Sequence, residues 1–109
     1  MEKAPDSTQV DPTGHRVAFE NDHVRVLEIH QLAGRELPMH SHPPRVIVAI
    51  NGYELESTTA EGKVTVVARR AGETIWSDGE EHSALIVSEA HTIEVEIKSA
   101  RRPVEDRPA

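Results

Sequence analysis

From Val24 to Gln31 the chain alternates: Val24, Val26, Glu28 and His30 fall on one side, and Arg25, Leu27, Ile29 and Gln31 on the other. A period of two belongs to a strand, whose successive side chains leave opposite faces. A strand of about eight residues is therefore predicted here. Ala33-Gly34-Arg35 breaks it, and a further strand runs through Met39 to His42 before Pro43-Pro44, which lack ladder donors, interrupts the pairing. Arg45 to Asn51 reads as the next strand. Asn51-Gly52 predicts a tight hairpin because both residues tolerate positive φ, with Tyr53 to Thr58 returning antiparallel. Glu61-Gly62, Ala71-Gly72 and Asp78-Gly79 mark further turns around Val64 to Val67, and short strands at Ala84 to Ser88 and Thr92 to Ile97 complete the pattern. No stretch sustains a helical period, and turns recur every 8 to 12 residues or roughly so, which predicts an all-β sandwich or barrel.

Two regions depart from that rhythm. Val46 to Ile50 is apolar on both faces, so its outer face is expected to lie under another sheet or another subunit, and a homodimer is the expectation. Residues 1–16 are polar and carry Pro5, Pro12 and Gly14, which suits a flexible tail or an added edge strand. The barrel is expected over 17–99, with a flexible tail at 100–109.

Composition narrows the chemistry. Hydrophobic residues make up 37% of the 109, but with one Trp, one Tyr and one Phe the core falls to Val, Ile and Leu. A formal charge of −7 argues against a general attraction to nucleic acid or to anionic membranes. Without cysteine there is neither a disulfide nor a thiolate, so a metal would need His, Asp or Glu. Met1 to Val10 has no apolar core of a leader, and the longest apolar run is Val46 to Ile50; a soluble, cytoplasmic protein is expected.

His40 and His42, one residue apart on a strand, project from the same face and could share an ion. His82 follows the Asp78-Gly79-Glu80-Glu81 turn at the start of an apolar strand. The bland alternative is a barrel with hydrogen-bonded core histidines. The order Gly34, five residues, His40-Ser41-His42, Gly52, then Gly72, Gly79 and His82 resembles the two motifs of the cupin superfamily, Gly-x5-His-x-His-x3,4-Glu-x6-Gly and Gly-x5-Pro-x-Gly-x2-His-x3-Asn. The resemblance spans roughly Asn21 to Lys98. It implies a double-stranded β-helix (jelly-roll) barrel of the RmlC-like kind, with the histidines turned into its mouth. The glutamate ligand of the first motif would fall at Arg45 or Val46, and neither can serve; Ser77 stands for the Pro of the second motif and Ile86 for its Asn. What remains is a three-histidine site of His40, His42 and His82. Imidazole suits Fe, Zn, Ni, Mn or Cu better than Mg or Ca, so one divalent transition metal is the expected cofactor.

Arg45, beside Pro43-Pro44, is expected at the solvated rim; turned inward it could pair with an anionic substrate. Trp76 is expected to pack at the barrel mouth, where it could also border substrate. His30, in phase with Glu28, reads as a partly exposed strand residue, Tyr53 as a surface residue, and Glu80 and Glu81 as solvated turn carboxylates able to orient His82. His15, His23 and His91 flank turns or tails and are assigned no chemistry. No phosphate-cradling glycine loop, Gly-x-Ser-x-Gly elbow or His-Glu-x-x-His helix is present. The functional expectation is a small metal-dependent enzyme, of oxygenase or isomerase type, acting on a small polar or carboxylated metabolite. The competing class is a ligand-binding or sensor module without turnover.

Overall fold

The computed structural model describes residues 3–98; the tail expected at 100–109 lies outside them. In chain order the elements are α1 (Ser7–Val10), β1 (His15–Glu20), β2 (Val24–Gln31), β3 (Glu36–His42), β4 (Arg45–Ala49), β5 (Tyr53–Thr59), β6 (Val64–Arg69), β7 (Thr74–Ser77), β8 (Glu80–Ile86) and β9 (Ala90–Ile97). The strands form two antiparallel sheets, ordered β1-β2-β9-β4-β7 and β3-β8-β5-β6. Only β1–β2 and β5–β6 are neighbours both in sequence and in a sheet; elsewhere the chain crosses from one sheet to the other, as in a double-stranded β-helix. Leu27, Ile29, Ile47 and Ala49 of the first sheet face Leu37, Tyr53, Ala84 and Ile86 of the second, all buried.

The eight-residue strand β2 is as predicted, and Glu61-Gly62 closes the β5–β6 hairpin. The hairpin expected at Asn51-Gly52 is not there: β4 pairs with β7 and β9, while β5 lies in the other sheet. Neither residue takes positive φ. The Asn51 amide instead donates to Glu89 O (2.8 Å) and its side-chain oxygen accepts from His91 N (2.8 Å), tying the crossover to the start of β9. Strand β3 begins earlier than expected, at Glu36. A register shift between Leu37 and His40, around the donor-less Pro38, lets both residues point inward although they are three apart.

The N-terminal expectation needs correction. Residues 4–11 are neither a flexible tail nor a strand but a cap across the seam between β1 and β3, the edge strands of the two sheets. Asp6 caps α1 and accepts two hydrogen bonds from Arg25 Nη2 (3.0 Å each), Ser41 N donates to Pro5 O (2.8 Å), and Ala4 N donates to Glu81 Oε2 (3.1 Å). Polar pairing anchors this segment, which is why its low hydrophobicity was a poor guide. Strand β1 then begins at His15, two residues before the expected barrel boundary. On the opposite side β6 and β7 are the other two edges, and among the described residues no ladder joins them.

The both-sided apolarity of β4 is resolved by register. Ile47 and Ala49 face inward, and Val46 stands on the outer face in a cross-strand row with Phe19, Val26, Val95 and Trp76 that crosses all five strands.

Candidate metal centre

Between the sheets lies a cavity of about 300 Å³ with apolar walls, among them Leu55, Val67 and Ile75, and a polar end that gathers four histidines. The structure brings the three expected histidines together. His40 and His42 project from β3 into the interior, and His82 is the cross-strand partner of His40 on β8. Ring centroids are 4.7 Å apart for His40–His42, 4.7 Å for His40–His82 and 5.2 Å for His42–His82. Two imidazoles bound to one ion at about 2.1 Å and at angles of about 90–110° place their centroids about 4.5–5.3 Å apart. The trio fits that spacing.

The second ring nitrogens support the same reading. His40 Nδ1 lies 2.7 Å from Pro38 O, and His82 Nδ1 2.7 Å from Ser57 Oγ. Such contacts fix ring orientation and tautomer and leave Nε2 for an ion. His42 differs: its Nδ1 is buried without a hydrogen bond, 4.0 Å from Glu94 Oε1. Behind it, Gly79 (φ 103°) packs against the backbone, and a Cβ there would sit 3.0 Å from His42 O.

His15, to which the sequence assigned no chemistry, belongs to the cluster. It is 4% exposed, its ring lies 5.9 Å from those of both His40 and His42, and its Nδ1 is 3.0 Å from Asp11 Oδ2. Among the described residues, sets of three ligand atoms within 4.8 Å of one another divide the expected trio. His40 and His42 group with His15, His82 groups with His42 and Glu80, and His42 also groups with Glu94 and Glu96. The signal for His15 was Asp11 four residues earlier, a carboxylate–imidazole pair that only folding across the seam makes meaningful.

Burial sets the charges. It lowers the pKa of His15, His40 and His42. It lowers His82 to about 4, against the pull of Glu80. All four are thus neutral, ligand-competent imidazoles near pH 7. Asp11, despite burial, is lowered to about 2 by hydrogen bonds from Gln31, Arg35 and His15. Glu94 is raised to about 7, chiefly by burial, against Arg45.

Arg45 is not at the solvated rim. It is 3% exposed and points inward, Nε 2.8 Å from Glu94 Oε1 and an Nη 2.9 Å from Glu80 Oε2. The Glu94 contact is a close ion pair with poor hydrogen-bond direction, since both atoms lack a hydrogen-bond partner. Glu80 is accordingly a partner of Arg45 and not a free turn carboxylate, and Glu81 is taken by Ala4 N. Trp76 borders the cavity but shares the outer face with Val46, 53% exposed, its Nε1 donating to Asp78 (2.7 Å). Tyr53 is buried against the cavity instead of lying on the surface. His30 is exposed and contacts Glu89 (2.6 Å), while His91 meets Glu28 (2.8 Å); both are remote from the cavity.

No protein-family model and no curated protein matches this chain. Among solved structures it is similar to a cupin domain from Bordetella pertussis Tohama I, at 25% identity and TM-score 0.69, covering 91% of this chain and 99% of that one. It is also similar to a protein with a double-stranded β-helix domain from Klebsiella pneumoniae, at 24% identity and TM-score 0.61 over 79% of this chain and 76% of that one. The polyketide cyclase RemF from Streptomyces resistomycificus shares the fold at 21% identity and TM-score 0.57, over 82% of this chain and 66% of that one.

Proposed function

The chain has the cupin fold, and on that premise we propose that its cavity binds one divalent transition metal through His40, His42 and His82, beside a small polar or carboxylated metabolite. The observation that supports this reading is the close packing of the three rings, 4.7–5.2 Å between centroids, two of them fixed through Nδ1 by Pro38 O and Ser57. His15, held by Asp11, groups with His40 and His42 and is a further candidate donor in a chain that lacks the family's glutamate. Nitrogen donors favour Fe, Zn, Ni, Mn or Cu. Bound there, the ion would supply Lewis-acid polarisation of a ligand oxygen.

The chain's own residues do the rest. Apolar walls exclude water, which strengthens every charge interaction inside. Arg45, clamped by Glu94 and Glu80, is a fixed guanidinium whose charge these carboxylates offset. Turnover of oxygenase or isomerase type is the reading the open, metal-competent cavity favours. The occupied Arg45, standing where a carboxylate ligand would be, favours the alternative of a binding or sensor module. Elemental analysis of purified wild type and His42→Ala tests the metal: about one transition ion per chain in wild type and none in the variant is expected. Equal content in both proteins, or none in wild type, would end the proposal. Oxygen uptake by the loaded protein with small acids then separates enzyme from binder.

As part of the same proposal, a second copy of the chain covers the uncharged outer row of Phe19, Val26, Val95, Val46 and Trp76.

A further inference from the structure

Two guanidinium groups enter the cavity, and the fold treats them differently. Arg45 is neutralised by Glu94 and Glu80. Arg69, the last residue of β6, lines the same cavity half-buried, and among the described residues no carboxylate oxygen lies within 4.0 Å of it. A guanidinium withdrawn partly from water beside apolar walls is unfavourable unless something compensates it. In a chain with nineteen acidic residues against twelve basic, a protein carboxylate would have been an easy partner. An anionic partner from outside would compensate it.

The surroundings define that partner. Arg69 is the cross-strand neighbour of Tyr53, which is buried and lines the cavity, and the Arg69 guanidinium lies near enough to the phenol to oppose the upward push of burial on its pKa. One planar fork and one hydroxyl suit a planar carboxylate. A phosphate dianion would leave charge unmatched. Leu55, between Tyr53 and Ser57 along β5, lies between this end and His82, whose Nδ1 is 2.7 Å from Ser57 Oγ. Tyr53, opposite Arg69, and Ser57 are four residues apart, about 13 Å of backbone.

We propose that the ligand of this cavity is an organic carboxylate with an apolar body, its carboxylate on Arg69 with Tyr53 as second donor, and its other end toward the histidine cluster. This deepens the metal reading by naming the ligand class, and rests on it only for the orientation of the far end.

The test is isothermal titration of wild type, Arg69→Gln and Arg69→Lys, each metal-free and zinc-loaded, with butanoate, hexanoate and octanoate, their amides, and inorganic phosphate. Acids should bind at least tenfold tighter than amides, with affinity rising about three- to fourfold per methylene until the cavity is full. Arg69→Gln should abolish the preference for acids while leaving amide affinity within twofold, and Arg69→Lys should restore part of it. That pattern is not produced by misfolding, since amide binding is the internal control. Equal binding of acids and amides, tighter binding of phosphate, an unchanged Arg69→Gln variant, or no binding of any acid would overturn the proposal. An acid preference seen only in zinc-loaded protein would assign the carboxylate to the ion, overturning the Arg69 role and leaving the metal reading intact. An Arg69-dependent preference in protein that takes up no metal would uphold the anchor and end the metal reading.

Discussion

Replacing Asp11 by Asn removes the group that aims His15 into the cavity. Asp11 is 3% exposed and accepts from His15 (3.0 Å), Gln31 (2.5 Å) and Arg35 (2.8 Å). Burial raises its pKa, but these donors outweigh burial and bring it from 3.8 to about 2. At 1.36 kcal/mol per pKa unit, the folded state favours the carboxylate by about 2.4 kcal/mol. Because the folded pKa is depressed, that stability is fully present above pH 3.8 and is lost as pH falls through about 2. Asn is the same size, but its NH2 must face either Arg35 or the pair of Gln31 and His15, and a buried donor without an acceptor costs about 1–3 kcal/mol. The expected loss at pH 7 is about 3–5 kcal/mol, or about 12–40 °C in Tm for a domain of this size. Urea unfolding followed by circular dichroism at pH 7 and pH 3 measures it, with the gap narrowing at pH 3. A loss below about 1 kcal/mol at pH 7, or a gap that does not change with pH, would refute the account of this network.

The other expectations concern the histidines, one glycine and the outer face. In EDTA-treated protein, stability should fall as pH drops from 6.5 toward 4, because the unfolded chain takes up protons that buried His82, lowered to about 4, refuses. His82 alone accounts for about 3 kcal/mol at 1.36 kcal/mol per pKa unit. Urea midpoints at pH 7.5, 6 and 5 check this, and a flat profile would contradict it. Gly14→Ala should cost about 1–3 kcal/mol, read by thermal melting, through overpacking; its Cβ would meet Asp11 Oδ2 and lie 2.5 Å from Gln31 Nε2. A melting point equal to wild type would mean that the Asp11 network can yield. Val46→Lys should convert a dimer to a monomer in sedimentation velocity without loss of the folded far-ultraviolet spectrum. A wild type that is already monomeric at tens of micromolar, the range where a specific interface holds, would count against the second copy.

How far the sequence could be read depended on how local each feature is. The alternation over β2 and the punctuation by Gly62, Gly72 and Gly79 sit in neighbouring residues, and the all-β class followed from them. His40 and His42 shared a face by the period of a strand alone. The Asn51-Gly52 dipeptide misled because its turn signal says nothing of which sheet the next strand joins. Strand β9 shows the limit most clearly. Local patterning would place Ile93, Val95 and Ile97 inward, yet Thr92, Glu94 and Glu96 are the buried ones, Thr92 and Glu94 lining the cavity and Glu96 paired with Arg25. The same inversion hid Glu94 and turned Arg45 from the expected rim into the interior.

The sequence by itself determined the period of the strands, where they break, and two same-face histidines with a third after a glycine turn. The tertiary structure alone decided the pairing of His40 with His82, the entry of His15 through the N-terminal cap, and the neutralisation of Arg45 that leaves Arg69 without a carboxylate partner among the described residues. The physical reason is range. Side-chain alternation is fixed by adjacent backbone dihedrals, whereas a histidine cluster drawn from β1, β3 and β8 exists only after long-range pairing has closed the barrel.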